Sequence, residues 1–145
     1  MSYVDAIKTR LAFDPVLIAR LARWEFVTGT KAPAIFCIAP APPACEQPLI
    51  TITDEPASMA PLRGRADSLL SFVVTTWGNK GESDRELREL AHRAFRLLMG
   101  QTLTTVDGDK LYILGVAAPQ RITDTDGFPG FVVIVNARIS EELIS

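Results

Sequence analysis

The residue types best suited to chemistry are few in this chain. His92 is the single histidine, Cys37 and Cys45 are the two cysteines, and three clusters of carboxylates stand out. A cysteine nucleophile needs a base to take its proton, and His92 is the one imidazole available to Cys37, but nothing in the spacing orients such a pair. A zinc site needs more Cys or His ligands, and Cys37 and Cys45, eight residues apart, lack a second pair. The two cysteines therefore read as thiols in apolar context, and His92, near Phe95 and Met99, as a boundary histidine.

The carboxylates divide in the same way. Asp107 and Asp109 resemble a fragment of a calcium loop, but the twelve-residue pattern with its closing glutamate is missing. Asp124 and Asp126 fall in a second turn, where aspartate is favoured for bonds to its own backbone. Glu82, Asp84, Glu86 and Glu89 follow one helical segment, where capping and solvation account for them. Gly78-x-x-Gly81 has neither the glycine spacing nor the lysine of a phosphate loop. Arg63 and Arg65 flank Gly64 in a small basic patch. Such a patch could meet a phosphate, lie in solvent, or act as an arm between subunits, a use suited to a long loop free of catalytic groups.

These residues must be positioned by regular elements. Ser2 and Asp5 have capping-box spacing ahead of Val4, Ile7 and Leu11, which predicts a first helix. Asp14-Pro15 opens a second, predicted to run to about Arg23, with Leu17, Ile18, Leu21, Ala22 and Trp24 on its apolar face. Residues 28–67 are irregular, with apolar pieces at Ala34–Ile38 and Leu49–Thr53. The second alternates and reads as a strand whose flanking prolines suit an edge strand or a strand end. A long loop is expected over residues 54–66. Ser68–Trp77, apolar on both faces, reads as a central strand.

The clearest helix spans residues 83–99, with Ser83 and Glu86 at its start, Leu87, Leu90, Ala91, Ala94, Leu97 and Leu98 along one face, and Gly100 at its end. Thr102–Val106 and Lys110–Val116 flank Asp107-Gly108, a hairpin signal. Residues 123–130 carry Asp126-Gly127 and Pro129 and read as a loop before a last strand, Phe131–Ile139.

The 145 residues suit one domain with its own core. Apolar residues at 48% and charged residues at 22% argue against disorder. A net charge of −2 argues against a nucleic-acid wrapper, no run of eighteen apolar residues exists, and the first twenty residues carry too many charges for a signal-peptide core. Two cysteines cannot make a disulfide framework, so a reduced, intracellular setting is expected. The unusual count is ten prolines, six of them from Pro33 to Pro56.

The succession of elements carries a resemblance. A helix opened by Asp14-Pro15 leads to Ala34-Ile35-Phe36 and a proline-rich approach to Pro48-Leu49-Ile50-Thr51-Ile52. A strand ending Val73-Val74-Thr75-Thr76-Trp77, the helix from Ser83 to Leu98, a hairpin, Arg121, Asp124, Asp126-Gly127 and a strand from Phe131 follow. Over nearly its whole length the chain resembles the tail-terminator (tail-completion, head–tail joining) proteins of long-tailed phages and phage-derived particles, including gene transfer particles. The match is one of architecture and composition, and the proline- and alanine-rich segment 39–48 departs from it.

The resemblance implies an α/β (α+β) fold with helices packed on one side of a mixed, mainly antiparallel sheet. It implies a homo-oligomeric ring, of six subunits, that caps the tail tube, meets the head connector or adaptor protein and lets DNA pass without sequence-specific binding. It implies no catalysis, cofactor or membrane, and a place in the neck of a particle assembled in the host cytoplasm. The matching contact residues would be Arg63 and Arg65 in the 54–66 loop and Asp124, Asp126 and Phe128 in the 123–130 loop. Another neck protein of the same particle is the alternative, and a small α/β enzyme or binding protein using Cys37, His92 or the Asp107 turn is a more distant one.

Overall fold

A computed structural model describes residues 3–55, 67–81 and 83–140. The chain begins with α1 (Tyr3–Ala12), whose Val4, Ile7 and Leu11 are buried at helical period. Ser2 of the expected capping box lies outside the described residues. Asp14 caps α2 (Pro15–Arg20), its side chain accepting from the Leu17 amide at 2.9 Å.

The second helix ends three residues before the expected Arg23. Leu21 turns extended, and the Ala22 amide donates to the Pro48 carbonyl while the Ala22 carbonyl accepts from Ala34, both at 2.8 Å. Those tertiary bonds replace the next helical turn. Trp24 therefore lies not on a helix but in β1 (Arg23–Val27), which pairs with β2 (Thr30–Pro33) in a separate two-stranded sheet. Gly29, at φ +86°, makes the turn between them.

The main sheet is built from β3 (Ile35–Phe36), β4 (Leu49–Glu55), β5 (Asp67–Trp77), β6 (Thr102–Thr104), β7 (Lys110–Val116), β8 (Gln120–Thr123) and β9 (Pro129–Ser140). Its order is β3-β4-β5-β9-β7-β6, with β8 also pairing β9. β3 and β4 run parallel and every other pair is antiparallel, so the sheet is mixed and mainly antiparallel. β5 is central, as its two apolar faces require. β4 is not the edge strand that its prolines suggest: β3 pairs with it at Ile35↔Ile50 and Phe36↔Thr51. β8 extends the pairing of β9 toward its start, so the loop expected over residues 123–130 is shortened at both ends, by Thr123 in β8 and by Pro129 and Gly130 in β9.

After β5 comes α3 (Asp84–Leu98). The Ser83 hydroxyl accepts from the Arg85 amide at 3.2 Å, and Gly100 turns the chain out at φ +72°. One sheet face meets the helices. Ile52, Val74 and Val133 stand in register across β4, β5 and β9, as do Phe72 and Val135 across β5 and β9. They pack with Ile7 and Leu11 of α1 and with Leu90, Ala94 and Leu98 of α3 in one buried cluster. Each of these larger side chains, Ala94 apart, contributes about 1.5–3 kcal/mol when taken fully from water. The expected arrangement, helices on one side of the sheet, is the one observed.

Candidate functional site

At the end of the sheet where β4 and β9 begin and β5 ends, three segments meet around a groove of about 640 Å³. Trp77 lies at its base. The indole spans two neighbouring strands: its N–H donates to Thr51 Oγ1 at 3.1 Å, and its ring lies where a Cβ on Gly130 would come within 2.7 Å. Gly130 therefore leaves room for the ring on β9, and Trp77 is held between β4 and β9.

One wall is the proline-rich segment, represented by Pro40, Pro42 and Pro43. It is tied down by the Cys45 amide donating to the Pro42 carbonyl at 3.0 Å and by the Asn79 side-chain amide donating to the Gln47 carbonyl at 3.4 Å. Beneath it, Cys45 and Leu49 join Ala34 and Phe36 in a second buried cluster, with Ala41, Trp24 and Trp77 packed against them.

The other wall is the turn before β9. Asp124 Oδ1 accepts from the amides of Asp126 (2.9 Å) and Phe128 (2.8 Å), and Gly127, at φ +89°, donates to the Asp124 carbonyl. This is the backbone role expected of an aspartate in a turn. It sets Asp126 in solvent and Phe128 half-buried in the groove wall, with the Lys80 ammonium 4.8 Å from the Phe128 ring centre. Asp124, Asp126 and Phe128 are thus brought together. Arg63 and Arg65 lie outside the described residues. The proline cluster reads from sequence as a contact segment, whereas Trp77 and Leu49 do not stand out there; a tryptophan at a strand end is the signal that points to them.

The other chemistry-bearing residues have separate surroundings. Asp107 and Asp109 sit in the β6–β7 turn, at the end of β9 near Ser140, whereas Asp124 and Asp126 lie at its Pro129 end. Twelve strand residues, about 36 Å, separate the two pairs. The Cys37 thiol donates to Asp5 at 3.5 Å, and burial first, then that carboxylate, pushes its pKa up to about 11. Burial also raises the Cys45 thiol. Raised thiols are poor nucleophiles and poor metal ligands at neutral pH. The His92 ring contacts Phe95 edge-on at 6.2 Å, on an α3 face shared with Arg85, Arg88 and Arg96. Among the described residues, no group of three His, Cys, Asp or Glu side chains is placed to hold a metal ion.

The arrangement at the groove is therefore one of contact: aromatic and proline surfaces beside two carboxylates. The fold that carries it has a counterpart among solved structures. A chain of a particle described as the virion of a native gene transfer agent (GTA) is similar over 97% of this chain and 96% of that one, with a TM-score of 0.66 and 18% sequence identity. At that identity the similarity is one of fold. No family model matches the chain, and no curated protein matches it.

Proposed function

We propose that this protein is a non-enzymatic structural subunit of a phage-like particle, and that it forms the ring which caps the tail tube and joins it to the head connector. The observation that carries the reading is the end-to-end fold similarity to a chain of a gene transfer agent virion, which leaves almost no residues of either chain unmatched. The order of elements, which resembles tail-terminator proteins, supports the finer assignment. A groove of aromatic and proline surfaces at one end of the sheet suits protein contact. In this reading six copies close a ring, the tube protein and the connector are the partners, and DNA passes through the centre. Closure also covers strand edges that an isolated subunit leaves open.

Mass measurement in solution, with and without a tube partner, tests it. A discrete oligomer of six chains is expected. A monomer at high concentration that stays monomeric with tube protein present would overturn the ring. Imaging of labelled particles then separates a tube cap from another neck protein by which junction carries the label.

A further inference from the structure

We infer that the groove at Trp77 receives the 56–66 segment of a neighbouring copy, with Arg63 and Arg65 set against Asp124 and Asp126. This inference rests on the ring reading and gives it a specific joint.

Complementarity supports this occupant. Among the described residues that line the groove, the charged ones are Asp124 and Asp126, and the remainder are largely apolar, aromatic or proline. Lys80 stands at the rim over Phe128. The 56–66 segment carries Arg63 and Arg65 as its charges after Pro56, with Met59, Pro61 and Leu62 just before them. Apolar side chains would meet Trp77 and Phe128 while the guanidinium groups meet the two carboxylates.

Chain length then shows whose segment it is. The segment leaves β4 at Glu55 and enters β5 at Asp67, whereas the groove lies at the opposite ends of both strands, Leu49 and Trp77. The ten steps along β5 from Asp67 to Trp77 cover about 33 Å. Arg63 is four residues from Asp67, and four residues of fully extended chain reach at most about 14 Å. The arginines cannot fill the groove of their own chain. A segment leaving one end of the sheet and a groove at the other make a heterologous, head-to-tail contact, the kind that generates a ring when the rotation closes.

Complementary variants of the full chain test this. R63D/R65D keeps a native groove with a reversed segment, and D126R keeps a native segment but exchanges the groove's exposed carboxylate for a cation, with Asp124 retained because its Oδ1 holds the turn. Each alone is expected to associate at least tenfold more weakly than the wild type by sedimentation, with an unchanged circular dichroism spectrum. Mixed in equal amounts, they are expected to recover the oligomer, because in alternating copies the native arginines meet the native pair of carboxylates and the reversed segment meets the cation introduced at position 126. Two folded variants that stay apart on mixing would overturn the inference, as would variants that each assemble like wild type; in the second case the ring itself stands. A wild-type chain that forms no oligomer, even with tube protein, overturns the ring reading and this joint with it.

Discussion

Asp14 and Arg93, 79 residues apart, form a two-point ion pair: Arg93 Nε donates to Oδ2 at 2.8 Å and Nη2 donates to Oδ1 at 2.7 Å. The same Oδ2 caps α2 through the Leu17 amide. One buried carboxylate thus ends the exposed backbone of a short helix and fastens it to α3. A six-residue helix has little stability of its own, so its position depends on this joint and on buried Leu17.

Replacing Asp14 should therefore cost more at this site than a surface charge would. D14A is expected to lower stability by about 1–2 kcal/mol from the cap alone, with a further loss from the Arg93 contact. D14S, which keeps a capping oxygen, should recover the cap part. Urea unfolding of the three proteins gives the comparison, and equal midpoints for D14A and wild type would remove the joint from the account.

The pair also sets a pH dependence. The Arg93 hydrogen bond, aided by the Leu17 amide and opposed by burial, holds the Asp14 carboxyl below its ordinary 3.8. The unfolded chain takes up that proton first as pH falls, so the native state loses stability there. The contribution is full above pH 3.8 and disappears as pH drops through the lower native value. Thermal unfolding of wild type and D14N between pH 2 and 6 should show a gap that narrows as pH falls below 3.8.

Cys37 should be nearly inert. A pKa of about 11 in place of 9.0 leaves roughly a hundredfold less thiolate at pH 8. Alkylation by iodoacetamide, followed by mass spectrometry, should be correspondingly slow in the folded protein. D5A removes both the acceptor that holds the thiol proton and its negative charge and should speed the reaction several-fold, with burial still slowing it.

Gly130 should tolerate no side chain. A Cβ there would meet Trp77 Cε3 at 2.7 Å and Cζ3 at 2.9 Å, so the indole must move and release Thr51. G130A is expected to cost about 1–3 kcal/mol by overpacking and to change tryptophan fluorescence. An unchanged spectrum would mean that the ring is not seated on Gly130.

Much of the fold was legible because it is written locally. α3 has its cap at Ser83, its apolar face at Leu87, Leu90, Ala94 and Leu98, and its stop at Gly100. β5 announces a central position by apolar residues on both faces, and Asp107-Gly108 marks the turn between β6 and β7. β3 was hidden because two residues carry no period and its partner, β4, comes more than a dozen residues later. The spacing of Leu21, Ala22 and Trp24 continues a helical pattern past the end of α2, and bonds to Pro48 and Ala34 override it.

The sequence by itself determined the class of fold, the central strand, the main helix and the turn chemistry of Asp124 and Asp126. These follow from spacing, capping and backbone preference, which act over a few residues. Only the tertiary structure decided that Trp77, the 39–43 prolines and Phe128 line one groove, and that Glu55 and Asp67 stand at the far ends of β4 and β5 from it. Strand register and direction set those positions, and both depend on pairing between segments distant in sequence.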